Sequence, residues 1–438
     1  MWREDRSAWR AAIIDRPARF DRENWRHAVR LWWNDLPPGD DDARPLSGVP
    51  FLSKDLFDVA GEVTGCSSQV ILEEVKPAPA REDSLLVRRL RDAGAFPVGR
   101  SQMNEFAYGL DGRNDYTGDC PHPLDDRRVS GGSSSGSAWA VAAGVVPIAL
   151  GTDTGGSVRV PAALCGILGF RAGWSDDLLR GVHLLVPTFD TVGWFTAGPG
   201  DMIEALAELT PTIRDHLSQD HGHVSDDRYS PGEPVFWFYV PPEVELEPAL
   251  QETTQRWITA MNERSRGTVH IEPASERWVS KVRSAMNSAV EAYNVIGSHA
   301  AWKVHEPWLD RYRGSYNQAV WNLIDRGRHW TEEQLRRAEA IARDVDAFVR
   351  EAFDEVDGLL LPVTPVASPL ADSFDGKLRE KILRLNAPGS IARVPALSLP
   401  IPLDAVCSGG VQALVPTGKE VRLLPILETL KEHALRSG

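Results

Sequence analysis

The residues whose types and spacing could do chemistry lie in two glycine–serine clusters. Gly131-Gly132-Ser133-Ser134-Ser135-Gly136 and Gly155-Gly156-Ser157 set Ser133 and Ser157 24 positions apart (157 − 133 = 24), with an alanine-rich run between them. A serine hydroxyl is a poor nucleophile until a base takes its proton. A lysine amine can be that base only when neutral, which requires desolvation or neighbouring cations to lower its proton affinity. Lys54, in "GVPFLSKDLFDVAG", stands amid apolar residues where a surface lysine would rarely sit. On that stretch alone, a lysine paired with Asp55 or Asp58 is the simpler reading. The serine clusters shift the balance towards a serine hydrolase that uses lysine as its base. In "GTDTGGSVR", consecutive amides just before Ser157 suit the negative charge that acyl transfer builds on a carbonyl oxygen, and the glycines let the backbone approach closely. A tight turn is the competing reading of that run.

Other chemistries fail on local context. A phosphate-binding loop needs GxxxxGK[ST]; neither cluster holds a lysine, and Gly418-Lys419 lacks the upstream glycine and is followed by Glu420. Gly132 to Gly136 satisfies GxSxG, but a nucleophile elbow follows a buried strand, whereas "PLDDRRVSG" is charged and reads as no strand. His216, His221 and His223 lie in a polar, acidic stretch with no HExxH helix, which reads as a solvated loop and not a metal site. No metal and no cofactor is expected.

The elements that must position these groups alternate between helix and apolar strand, which signals an α/β fold. "GVPFLSKDLFDVAG" reads as a short buried strand entering a turn. "DSLLVRRLRDAG" is a helix with Asp83 as its N-cap and Gly94 as its stop, followed by the strand "AFPVG". Ser137 to Ala143 is helical and "VVPIALG" a strand. Residues 1 to about 45 read as a helical arm, 210–235 as an exposed excursion, and 245–356 as mostly helical, with a capping box at Thr331 and Gln334. "GLLLPVTP" and "ALSLPIPL" return as buried strands. With no internal repeat and no long linker, the 438 residues read as one domain.

Bulk properties narrow the partners. With 42% hydrophobic and 25% charged residues, the chain has the composition of a soluble globular protein. A net charge of −14 repels phosphate backbones, so nucleic acid is not an expected partner. Cys66, Cys120, Cys165 and Cys407 are scattered, the first residues are too charged for a signal peptide, and no apolar run approaches a membrane span. A cytoplasmic protein is expected, with no membrane association.

The motifs quoted above, with "RLRDAGAFPVGRSQMNEFAYG", "GILGF" and weaker echoes in "FDTVGWF", "DGLLLPVTP", "ARVPALSLPIPL" and "GGVQALVP", resemble the amidase signature family. The resemblance is firm over residues 45–200 and loose over the C-terminal eighty or so. It implies a mixed, mostly central β-sheet flanked by helices on both faces, with a helical elaboration. The chain then divides into an arm (1–45), a signature core (46–205), a variable, mostly helical pocket region (206–355) and a return to the sheet (356–438).

By the same resemblance Ser157 is the nucleophile, Ser133 the bridging serine after a cis peptide, and Lys54 the ultimate base. The amides of Thr154, Gly155, Gly156 and Ser157 form the oxyanion hole, and Ser134, Asp153 and Arg159 hold the loop. Met103 falls where relatives line the substrate channel, core packing being the equal alternative. The nearest subgroup by motif is the short amidases related to plant indole-3-acetamide amidase, which implies a small arylalkyl primary amide as substrate. A secondary amide, carbamate or urea-type compound is the alternative. A non-catalytic docking protein and one subunit of an amidotransferase are rivals of other classes, and a homodimer is left open. Departure from the family pattern after "GF", at "RAGWSDDLLRGVHLLVPTFD", weakens inference about the substrate.

Overall fold

The structure is a computed structural model that describes residues 27–33, 44–219 and 233–437. Its frame is a mixed sheet of eleven strands, built outward from the segments that carry the motifs. The apolar run before Lys54 forms β2 (Pro50–Lys54), buried at every position. It lies parallel to β3 (Phe96–Ser101) on one side and to β6 (Ile148–Asp153) on the other. The order continues from β6 through β8 (Thr191–Thr196) and β7 (Leu168–Arg171) to β12 (Ala396–Pro402), β13 (Ser408–Leu414) and β11 (Gly358–Pro362). The strands β9 (Val235–Phe238) and β10 (His270–Pro273) close the far edge.

The helix α1 (Leu85–Asp92) buries Leu85, Leu86, Val87 and Leu90. Asp83 does not cap it: Ser84 holds that position, while the Asp83 carboxylate accepts from the Ala60 amide at 2.8 Å and pairs with Arg91 at 3.1 Å. The helix α2 (Ser135–Ala142) is buried from Ser135 to Val141, and its small residues are what allow backbone to press against it. A Cβ on Gly136 would stand 2.0 Å from the Ala28 carbonyl oxygen. A short helix, α3 (Arg159–Leu164), follows Ser157.

The helices α4 (Pro199–Leu209), α5 (Pro211–Gln219) and α6 (Pro248–Arg264) come next. The 30-residue α7 (Glu276–His305), α8 (Gln318–Asp325) and the 24-residue α9 (Glu332–Glu355) form the helical elaboration. The capping box at Thr331 and Gln334 is present, and α9 turns Ala338, Val345 and Ala352 inward. The helices α10 (Gly376–Ile391) and α11 (Leu424–Ser437) complete the chain.

Four local readings need correction. Within the predicted helical arm, Val29–Trp32 is a strand, β1, antiparallel to β3, because the edge of β3 offers it a ladder. The rest of the arm to 43 lies outside the described residues apart from 27–28 and 33. Asp125–Val129 is also a strand, β5, paired with β4 (Pro121–His122) in a separate two-stranded hairpin with charged side chains outward. Because β5 is not a buried strand of the main sheet, it does not make a nucleophile elbow. Residues 211–219 of the expected excursion are the helix α5, anchored by buried Ile213, and His216 lies on it; His221 and His223 lie outside the described residues. The strand β10 interrupts the predicted helical region. Trp237 and Trp278 pack on each other in the core, with ring centroids 5.9 Å apart.

Candidate active site

Lys54 ends β2, and the neighbouring β6 and the start of α2 bring three hydroxyls onto its nitrogen. Lys54 Nζ lies 2.8 Å from Ser133 Oγ, 2.9 Å from Ser134 Oγ and 2.8 Å from Thr152 Oγ1. The side chain has no exposed surface. Burial pulls its pKa down to about 7 against the partly opposing charges of Asp190 and Asp153. A neutral amine has two hydrogens and one lone pair, so one of these three hydroxyls can then donate to the nitrogen. The pairing with Asp55 or Asp58 does not occur. Asp55 is held by Arg30 at 2.7 Å and by the Gly65 and Ser67 amides, and Asp58 accepts from the Thr64 hydroxyl at 2.6 Å.

The two serine clusters meet through backbone. The Gly132–Ser133 peptide is cis, and the Ser134 amide donates to the Ser157 carbonyl at 3.2 Å. Ser134 Oγ also donates to the Thr152 carbonyl at 3.1 Å, tying the helix start to β6. Ser157 is buried at the end of the loop that leaves β6.

Asp153 organises that loop. Its carboxylate accepts from the amides of Gly156 at 2.9 Å, Val158 at 3.1 Å and Arg159 at 3.3 Å. It also accepts from Arg159 Nη2 at 2.8 Å and Arg171 Nη1 at 2.9 Å. Burial alone would raise its proton affinity, but the two guanidinium groups hold the carboxyl well below the usual range. Arg159 then reaches Gln412 Oε1 at 2.7 Å, Ser390 Oγ at 2.8 Å and the Asn386 carbonyl at 3.0 Å.

The expected set of four oxyanion donors is narrowed here. The Gly156 amide is taken by Asp153, so it is not a free donor for a developing oxyanion. The amides of Thr154, Gly155 and Ser157 have no acceptor among the described residues. A Cβ on Gly155 would stand 2.3 Å from the Tyr293 hydroxyl oxygen, so any larger residue there has to displace that side chain. Tyr293, on α7, in turn stacks on Phe189, with centroids 5.5 Å apart.

Met103 is fully buried in the apolar cluster that includes Phe106, Tyr293 and Leu383, and its carbonyl accepts from Asn114 at 2.8 Å. Thr152, Arg171, Asp190 and Tyr293 were not singled out from sequence. Thr152 stands inside "GTDTGGSVR", Arg171 directly after "GILGF" and Asp190 inside "FDTVGWF", so their place in quoted stretches was a usable signal. Tyr293 comes from a distant segment. A narrow pocket lined by Leu56, Ala107, Thr152, Thr154, His183 and Asp190 adjoins the lysine. Among the described residues no group of three or more His, Cys, Asp or Glu could hold a metal, and no helix is long and apolar enough to cross a membrane.

Comparison with known proteins covers nearly the whole length. The amidase family model matches residues 34–424. Amidase 1 of Oryza sativa subsp. japonica is 43% identical over 184 residues, which is 42% of this chain and 42% of the rice protein. The matched part thus spans less than half the length of that relative. A glutamyl-tRNA(Gln) amidotransferase subunit of Rhodopirellula baltica is 30% identical over 420 residues, covering 87% of this chain and 82% of that protein. A crystal structure of an amidase superposes with a TM-score of 0.78 at 26% identity, covering 97% of this chain and 95% of that one.

Proposed function

This chain belongs to the amidase family, and from that premise we propose that it hydrolyses a small carboxylic amide through an acyl-enzyme on Ser157. The observation that carries the reading is the buried contact between Lys54 Nζ and Ser133 Oγ at 2.8 Å, with the Lys54 pKa pulled down to about 7. Ser157 Oγ attacks the amide carbon while its proton passes through Ser133 to Lys54. The free amides of Thr154, Gly155 and Ser157 face the oxygen that becomes negative, each such donor being worth about 3–4 kcal/mol in the transition state. As the C–N bond breaks, Lys54 returns the proton through Ser133 to the leaving nitrogen. Water then attacks the acyl carbon by the same route, releasing the acid and restoring Ser157. Ser134, Asp153 and Arg159 keep the two loops in register.

For the substrate, we take an arylalkyl primary amide such as indole- or phenylacetamide, which yields acid and ammonia. The stacked Phe189 and Tyr293 pair against Gly155 supports a flat aromatic acyl group beside Ser157. A second reading, release of ammonia from glutamine as part of an amidotransferase, draws on the likeness to the Rhodopirellula baltica protein. Ammonia release from a panel of arylalkyl amides, aliphatic amides, glutamine and urea-type compounds tests both, with Ser157→Ala as control. The expected result is turnover of arylalkyl amides that vanishes in the control. Turnover that survives Ser157→Ala sinks the mechanism, and turnover confined to glutamine or urea-type compounds sinks the substrate assignment.

A further inference from the structure

We propose that Asp190 is a positioning residue of this site: it fixes Thr154 at the head of the nucleophile loop and sets an unneutralised negative charge beside Lys54. The inference rests on the acyl-enzyme reading above. Asp190 sits just before β8 and is almost fully buried. Its Oδ1 accepts from Thr154 Oγ1 at 2.5 Å, and its Oδ2 accepts from the Leu185 and Val186 amides at 2.7 and 2.8 Å. Burial pushes the Asp190 pKa above the ordinary carboxylate range, and the three donors that converge on the carboxyl, with the Lys54 charge, oppose that shift by favouring the ionised form.

Two threonines then connect the acid to the chemistry. Thr154, held by Asp190, presents one of the three free amides, and Thr152 touches Lys54 Nζ at 2.8 Å. Both threonines and Asp190 line the same narrow pocket.

The charges around Lys54 make Asp190 distinctive. The carboxylates that act on the lysine are Asp190 and Asp153. Asp153 is bonded to both Arg159 and Arg171, so two cations oppose its charge. Among the described residues no cation is hydrogen-bonded to Asp190. Arg171 acts on it at longer range, His183 shares the pocket wall, and Tyr293 senses both carboxylates. Asp55, next to Lys54 in sequence, is held by Arg30 and faces Arg100. Removing the Asp190 charge therefore leaves Lys54 easier to deprotonate. Removing only the Thr154 hydroxyl leaves the charge and frees the loop.

The experiment is labelling of Ser157 by an alkyl fluorophosphonate across about pH 5–9, read by intact mass. The Ser157 Oγ–P bond forms, fluoride leaves, and the serine proton passes to Lys54, so the rate reports the activated nucleophile with no natural substrate. Wild type is expected to lose reactivity below about pH 7. Asp190→Asn is expected to move that midpoint down by roughly one pH unit. Thr154→Val is expected to keep the wild-type midpoint while labelling on the order of tenfold more slowly.

An unchanged midpoint in folded Asp190→Asn overturns the charge role, and Thr154→Val labelling at the wild-type rate overturns the positioning role. If Asp190→Asn does not fold, Asp190→Ala is labelled in its place, with the same downward shift of the midpoint expected and an unchanged midpoint again overturning the charge role. Wild type labelled no faster than Ser157→Ala at any pH overturns the acyl-enzyme reading and this inference together, which separates the two failures.

Discussion

A lysine with no exposed surface and three hydroxyls around its nitrogen is costly to protonate in place, and that cost is measurable apart from activity. Its pKa of about 7 in the folded chain lies below the 10.5 of a free lysine, so the unfolded chain binds more protons between those values. Stability contributed at this site therefore rises with pH from about 7 to about 10.5, and the full penalty is present below 7. Lys54→Met abolishes the penalty and the base together. The variant is expected to be inactive yet more stable than wild type below pH 7, by a few kcal/mol at most, since each tenfold change in proton affinity is worth about 1.4 kcal/mol. The difference in urea midpoint should shrink as pH climbs towards 10. A gap that stays constant would mean that Lys54 keeps an ordinary proton affinity. At this scale the motif residues were legible because Lys54, Ser133 and Ser157 each sit in a short stretch whose composition is odd for its surroundings. Tyr293 was not, because a tyrosine in a long helix looks ordinary until the fold sets it against Gly155; Asp190 stands inside "FDTVGWF", but only the fold shows that its partner is Thr154.

Elements differ in how much room they leave, and α2 leaves none. Gly136→Ala would drive a Cβ to 2.0 Å from the Ala28 carbonyl oxygen and 2.8 Å from the Gln102 nitrogen, both backbone atoms that cannot swing away. Overpacking of this kind costs typically about 1–3 kcal/mol, and here it also displaces the turn that carries Ser133 and Ser134. Loss of stability and loss of amide turnover are expected together. The N-cap of α9 provides the contrast. Thr331→Ala removes a capping box on an exposed helix start, at a cost of about 1 kcal/mol, with turnover unchanged. Urea midpoints and initial rates for both variants check the pair, and normal turnover in Gly136→Ala would show that α2 need not sit where it does. The same contrast explains which elements could be read from sequence. The capping box and the apolar face of α9 are local patterns. By contrast, β1 depends on the edge of β3 and β10 on the edge of β9, and a window of sequence holds no record of those partners. The reading of residues 1 to about 45 as a helical arm therefore fails at β1, because pairing with the edge of β3 outweighs a weak local periodicity.

Across the whole molecule, the site depends on a buried ion cluster that reaches both ends of the sequence. Asp153 ends β6 in the N-terminal part of the sheet, while its partner Arg159 bonds Asn386, Ser390 and Gln412 from the C-terminal return. Among the described residues the main sheet passes from one part to the other where β7 pairs with β12, and this cluster is a further clasp beside that ladder. Two guanidinium groups share one carboxylate, and none of the three side chains is exposed. Asp153→Asn keeps the shape and removes the charge, leaving both arginines buried without the carboxylate they are bonded to. Breaking a buried pair in this way costs about 3–5 kcal/mol. The folded carboxyl titrates far below the usual range, so wild type holds this contribution throughout neutral and mildly acid conditions, and the deficit of the variant should not vary between about pH 5 and 8. Loss of a hydrogen-bonding shape alone predicts a different pattern from loss of charge. Arg159→Met placed on Asp153→Asn removes one of the stranded cations, so the double variant should be less destabilised than the sum of the two single variants. Urea unfolding of the four proteins closes that cycle, and strict additivity would show that Asp153 and Arg159 are not coupled. A coupling of more than about 1 kcal/mol would mean that the loop bearing Ser157 is held by the closure of the whole sheet, and not by its own turn alone.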